Sequence, residues 1–375
     1  MQRTVDSVSA GIDWYPLRLT ATARPLVFGG TAIADRLGRT GLPDRPIAET
    51  WEVSDVDGDI GEVTEGPLRG TRLRRLVEEH SEDLVGPGWH GPYFPILTKF
   101  IDASGVLPVH LHADDASARR LEGQPNGKTE AWHILDAAPG ATALCGIKPG
   151  VDRDVVRRAL LAQDFDSVLR RLPVRAGDTI YVPGGTLHSF GPATLVYEIE
   201  QTSDIKQHAM RWDMTDGSEV PEHQWHANLD SLMAELKTEP RPDFCPGLGV
   251  AVDETVSQVF LCAGPYFALE RWGAGNGAPL RRSFRTAQIL SNVGAPVRVR
   301  AGGWSGTLGR GETLLLPAAL RSVEIDGPAD VLFGYLPDLD RDVFRPLLRA
   351  GYSPDVIATL GEGFGPLGES ATAGM

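Results

Sequence analysis

Cysteine is scarce in this chain. Its 375 residues hold three, Cys145, Cys245 and Cys262, scattered and without a CxxC pair. An odd, sparse set of this kind predicts reduced thiols rather than a disulfide framework, the pattern of a cytoplasmic protein. Long apolar runs are missing too. No stretch approaches the roughly 18 apolar residues of a membrane span, and no charged-then-apolar N-terminus is present, so neither a transmembrane helix nor a signal peptide is expected. Positive charge is in deficit: 36 Lys and Arg face 50 Asp and Glu, a net charge of −14. That argues against general nucleic-acid binding and against an anionic membrane surface, and leaves room only for a local basic patch at an anionic-substrate pocket.

What is plentiful is glycine (43), proline (28) and short β-branched runs, which favour a turn-rich β architecture. The length suffices for two ordinary domains. The stretch that organises the chain runs from Gly105 to His188 and reads GVLPVHLHADD, then GKTEAW, then GDTIYVPGGTLH. On a strand, side chains alternate faces, so His110 and His112 point the same way, with imidazoles about 7 Å apart along the strand. The Pro183-Gly184-Gly185 bend lets His188 swing inward. With Glu130 these residues make a His₃Glu set, expected to hold one metal ion inside a β-barrel. Such a nitrogen and oxygen shell suits Zn²⁺, Fe²⁺, Mn²⁺ or Ni²⁺ without choosing among them. The HxH followed by G-x₅-P-x-G-x₂-H resembles the paired cupin signature.

The flanking segments read as support. ETWEVSD (Glu49 to Asp55) is a strand on which Glu49 and Glu52 are either pocket carboxylates or solvated charges of an edge strand. Residues 71–85 form a surface helix with His80 facing solvent. Lys99 interrupts the apolar strand FPILTKFIDA and either snorkels out or pairs with a carboxylate. Asp114 and Asp115 cap the short helix that follows them. Lys128, Glu130 and Trp132 share a strand face, with His133 on the other. Helices are inserted over 151–176. Glu198 and Glu200 share a face of TLVYEIEQTSD, forming either a pocket wall or a solvated surface, and Lys206, His208 and Arg211 lie near the barrel mouth. A short helix is expected over 227–237. The three prolines of EPRPDFCPG mark a boundary. The first domain thus spans 1–240, and a second, cupin-like domain spans 241–338. In the second, GETLLLPAAL repeats the Gly-to-Pro part of the signature without a histidine, so that barrel is expected to be metal-free. Residues 339–375 form a helical tail whose last ten residues are expected to be disordered. The fold class is therefore mainly β: two cupin (jelly-roll β-barrel) domains with a small helical insertion.

Over roughly residues 15–335 the chain resembles the class I mannose-6-phosphate isomerase family in its shorter bacterial form. The matching blocks are FGG…ETWEVSD, FPILTKFIDA, LPVHLHADD, GKTEAWHIL, GDTIYVPGGTLH and YEIEQTSD. The resemblance implies zinc held at His110, His112, Glu130 and His188, with Lys128 and Glu198 in the family's catalytic positions. Three positions depart from the family. His110 stands where it has glutamine, and Pro108 where it has a serine associated with the substrate phosphate. His208 stands in place of a catalytic arginine, with Arg211 three residues on. The first departure bears on the metal preference and the other two on the phosphorylated substrate, none of them on the fold.

The implied reaction is an aldose–ketose isomerisation of a sugar or sugar phosphate, with Glu198 as base, His208 second to it, and Lys128 and Arg211 offsetting negative charge. Two other readings stay open: a non-catalytic, regulatory sugar-binding protein, and an Fe-dependent cupin oxygenase. The oligomeric state is not legible.

Overall fold

The computed structural model describes residues 12–239, 241–275 and 279–368. Two antiparallel β-sandwich barrels follow one another. In the first, a six-stranded sheet runs in the order Thr22–Arg24, Glu49–Val53, Ile96–Ala103, Thr194–Gln201, Glu130–Ala137, Thr179–Val182. Facing it are Gln207–His208, His110–Leu111, His188–Phe190, Thr142–Ile147 and Leu169–Pro173. The second barrel repeats the arrangement strand for strand. Its six-stranded sheet is Leu248–Ala251, Val256–Ala263, Ala268–Ala274, Ala329–Tyr335, Gln288–Asn292, Thr313–Leu316, and its four-stranded sheet is Leu280–Ser283, Ser322–Asp326, Val297–Ala301, Trp304–Leu308. Among the described residues, only the two-residue strand Gln207–His208 has no counterpart.

The six-stranded sheets pack against each other, and this explains why their strands read as continuous apolar runs. On Thr194–Gln201, Leu195, Tyr197 and Ile199 enter a core shared by both barrels, with Phe100, Phe267, Leu269, Ile289 and Leu332. Val196, between them, faces the interior of the first barrel with Trp132, Ile134 and Phe190. Both faces of the strand are therefore buried, as in a sheet covered on each side. By the same parity Glu198 and Glu200 point into the barrel. The Tyr197 hydroxyl accepts from Ser291 Oγ across the seam at 3.1 Å.

Several expectations change. Glu49–Val53 lies between two strands rather than at an edge, and all five of its residues are buried. Glu49 and Trp51 face the first barrel's interior and Glu52 turns to Arg39 at 2.9 Å; a β-bulge between Trp51 and Val53 then keeps Val53 on the outer face too, in the core shared by the barrels. The insertion is shorter than expected. Its helices are Arg153–Leu161 and Phe165–Val168, and Leu169–Pro173 is an edge strand. In the second barrel the hairpin Ala301–Trp304 occupies the insertion's place. The helix expected over 227–237 runs instead over Glu222–Glu235. The tail is not separate: Val343, Phe344, Leu347, Ile357 and Leu360 pack on Leu248, Phe260 and Tyr335 of the second barrel. The disorder expected for the last ten residues falls, from 369 onward, outside the described residues. The three cysteines are buried and unpaired, and no described helix is long and apolar enough to cross a membrane.

The barrels pack closely at Gly334, where a Cβ would lie 2.7 Å from Ile199 Cδ1. Ile199→Ala opens a cavity in the shared core and is expected to cost about 2–5 kcal/mol. Urea denaturation followed by fluorescence is expected to show both barrels shifting in one transition. A second transition left at the parent position would mean that the barrels are not coupled.

Candidate metal centre

The three histidines arrive by different routes. His110 lies on a strand and pairs directly across from His188 on one side and His208 on the other. The strand ends at Leu111, so His112 is not held at strand spacing. Its ring turns in to 4.8 Å from that of His110, closer than the extended spacing predicts. The glycines of the Pro183-Gly184-Gly185 turn let it dock on this segment. Gly185 has φ +91° and donates to the His112 carbonyl at 2.6 Å, and a Cβ at Gly184 would meet Asp114 Cα at 2.7 Å.

Each imidazole is oriented from behind. His110 Nδ1 meets the Pro108 carbonyl at 2.7 Å, His112 Nδ1 the Ile205 carbonyl at 2.6 Å, and His188 Nδ1 the Thr186 carbonyl at 2.8 Å. A carbonyl only accepts, so Nδ1 carries the proton and Nε2 keeps its lone pair. Those lone pairs converge. His188 Nε2 is 3.0 Å from His110 Nε2 and 3.2 Å from Glu130 Oε1, and His112 Nε2 is 3.1 Å from Glu130 Oε2. Burial holds all three imidazoles below their ordinary pKa, reinforced by neighbouring positive charge at His110 and His112 and opposed by Glu130 at His188, so no second ring proton relieves the repulsion. Acceptors aimed at one another in this way fit a divalent cation. Glu130 is steadied by Trp132 Nε1 at 2.9 Å. Burial raises its pKa, but Lys128 and the histidines more than offset that, to about 2.

Behind this cluster runs a buried row of alternating charges. Lys99 Nζ lies 3.0 Å from Glu198 and 2.9 Å from Glu200, while Lys128 Nζ lies 2.6 Å from Glu200 and 2.5 Å from Glu130. Lys128 also reaches His112 Nε2 at 2.9 Å. The Glu200 contacts are ionic, outside hydrogen-bond geometry. Burial acts to raise both carboxyls. At Glu198 the Lys99 ammonium prevails and the pKa falls, whereas Glu200, deeper and beside Glu198, stays well above the ordinary range.

The cavity over this row holds about 40 Å³. It is lined by His110, His112, Lys128, Glu198 and His208, all expected from the sequence, and by Lys99, Glu49, Trp51, Arg24 and Lys206. Burial, with help from Lys206, lowers the His208 pKa to about 4. Arg211 is not in the lining. Its guanidinium lies over the Trp225 ring at 4.8 Å and meets Glu219 at 3.5 Å, because the chain after His208 turns outward beneath the Glu222–Glu235 helix. Arg24 is the guanidinium at the cavity, 4.2 Å over the Trp51 ring and paired with Asp59. No motif marks Arg24. Lys99 was legible as a charge in an apolar strand, and what it faces was not.

A double β-barrel with a histidine and carboxylate cluster inside the first barrel defines a cupin-type protein with a metal site. Residues 17–132 match the family model for the catalytic domain of type I phosphomannose isomerase. The mannose-6-phosphate isomerase of Streptococcus mutans is 28% identical over 321 residues, covering 84% of this chain and 97% of its own. Mannose-6-phosphate isomerase ManA of Bacillus subtilis is 28% identical over 321 residues, covering 86% and 99%. The crystal structure of the Bacillus subtilis mannose 6-phosphate isomerase superposes with a TM-score of 0.77 at 26% identity, covering 86% of this chain and all of that one. A zinc-bound mannose 6-phosphate isomerase shares the fold at a TM-score of 0.67 and 14% identity. The chain is thus similar over most of its length to mannose-6-phosphate isomerases, and over residues 17–132 to the type I catalytic domain.

Two outcomes are expected here. His188→Ala removes a converging donor and is expected to weaken metal binding at least tenfold, as read by metal analysis after dialysis against a graded chelator. Lys99→Met leaves Glu198 and Glu200 without their shared cation and is expected to destabilise the metal-free protein by about 3–5 kcal/mol. Adding Glu200→Gln is expected to restore part of that loss. Unchanged denaturation midpoints would show that the row is not an energetic unit.

Proposed function

We propose that the protein is a metal-dependent aldose–ketose isomerase that interconverts mannose 6-phosphate and fructose 6-phosphate or a closely related hexose phosphate. The observation that carries this reading is a buried carboxylate with lowered pKa, Glu198, facing a cavity whose wall also holds two lysines and the histidine cluster. The names of the relatives that match over most of the chain support it.

His110, His112, Glu130 and His188 would hold the ion. Zinc is the proposed metal, in keeping with the zinc-bound structure of the same fold; iron, manganese and nickel suit the same donors. When bound, such an ion supplies Lewis-acid charge at the sugar's carbonyl end. Glu198, ionised beside Lys99, takes the proton from C2 and returns it to C1. Glu200, ion-paired to both Lys99 and Lys128, holds the two ammonium groups in place beside that carboxylate. Lys99 and Lys128 balance the negative charge of the enediolate. His208, neutral near pH 7, can donate at one ring nitrogen and accept at the other, which suits proton transfer between the sugar's O1 and O2. Arg24 and Lys206 stand at the rim and would meet the phosphate; Arg211, expected from the sequence to offset negative charge together with Lys128, lies outside the cavity.

A cavity of about 40 Å³ holds a water molecule or two. A hexose phosphate needs more, since small-molecule pockets start at roughly 300 Å³. Substrate entry therefore requires the rim carrying Lys206, His208 and Met214 to move. Metal-loaded protein is expected to isomerise mannose 6-phosphate. Glu198→Gln is expected to lower kcat by about 10²–10⁴ with metal content unchanged. Saturable binding without turnover in the parent protein would overturn the enzyme reading in favour of a sugar-binding one.

A further inference from the structure

The second barrel reproduces the first strand for strand, so its interior positions can be matched through the pairing register. Lys99 pairs with Glu198, and Glu200 with Glu130. In the second barrel Glu270 pairs with Phe333, and Tyr335 with Gln288. Glu270 thus takes the place of Lys99, and Tyr335 and Gln288 those of Glu200 and Glu130. Arg282 enters from Leu280–Ser283, the strand that corresponds to His110–Leu111.

This interior is polar and built. Arg282 is almost fully buried, ion-paired to Glu270, and donates from Nε to Gln288 at 3.0 Å. Its guanidinium lies 4.8–5.1 Å from the centroids of Trp272, Phe333 and Tyr335. Glu270 also accepts from Trp272 Nε1 at 2.6 Å and from Gln258 at 2.9 Å. No set of lone pairs here calls for a cation, because the guanidinium supplies the positive charge. Over this floor opens a cavity of about 300 Å³, against about 40 Å³ in the first barrel. Four arginines (281, 282, 285 and 341) line it against two acids, Glu270 and Asp342; Arg281 is also paired with Glu324 and Arg341 with Asp338, so the uncompensated positive charge of the lining lies at Arg285. Arg285 is exposed and has no ion-pair partner among the described residues.

We propose that the mouth of the second barrel is a separate binding site for a phosphorylated sugar of hexose size. Arginines at the rim meet the phosphate as planar, charge-assisted donors. Amide and phenol groups on the floor, with Trp272 and Phe284 in the wall, suit the hydroxyls and the apolar face of a sugar ring. The volume meets the lower bound for such ligands. This lining alone defines the site, whatever the first barrel catalyses.

The test is titration of the full-length protein with glucose 6-phosphate by calorimetry, with hydrogen exchange to locate the bound ligand. Saturable binding with protection over residues 280–288 and 341–346 is expected. The double variant Arg281→Glu, Arg285→Glu changes only exposed side chains, and it is expected to weaken this site at least tenfold while leaving mannose 6-phosphate turnover unchanged. Protection confined to 204–214, an unaltered isotherm in the variant, or no binding to the parent would each overturn the proposal. Inorganic phosphate binding as tightly as the sugar phosphate would overturn the assignment to a sugar.

Discussion

Five charged side chains, Glu198, Lys99, Glu200, Lys128 and Glu130, stand in contact with almost no water around them. Removing that many charges from water is costly, and only close alternation of sign offsets the cost. Alternation across three strands depends on register, because a one-residue slip would turn the whole set to the other face. Both faces of the sheet must therefore be occupied by packed groups. The second barrel supplies the outer layer: Leu269, Ile289 and Leu332 cover Tyr197 and Ile199, leaving the opposite face to the charges. The row of charges and the doubling of the barrel are in this sense one arrangement.

The two barrels show how far one strand topology can diverge inside. In the first, carbonyls fix the imidazole tautomers and leave acceptors converging on a point. In the second, a guanidinium fills the corresponding region and every nearby acceptor is directed at it. The first interior is incomplete without a cation and the second carries its own. The second barrel's larger cavity and its ring of arginines follow from the same substitution of side chains on an unchanged framework.

Much of the first barrel's chemistry was legible in the chain. The spacing of His110, His112 and His188, with Glu130 between them, brought the cluster into view, and strand parity put Lys128 and Trp132 beside it. The strands of the second barrel were legible from their short β-branched runs. Other features were misread for identifiable reasons. A bulge between Trp51 and Val53 broke the parity of ETWEVSD. Leu169–Pro173 reads as an amphipathic helical continuation but pairs as an edge strand. Arg211 shares a short segment with His208, yet an aromatic ring and a carboxylate outside the barrel hold it there.

The order of residues alone determined the strand alternation, the turn glycines and the set of groups able to bind a cation, because these depend on neighbours a few positions apart. The tertiary structure alone decided whether Glu198, Glu200 and Lys99 meet water or one another, which arginine reaches the cavity, and that the second barrel has a polar interior of its own. Those outcomes depend on what covers each face of a strand, and the covering residues, from Leu269 to Leu332, lie far outside the local sequence.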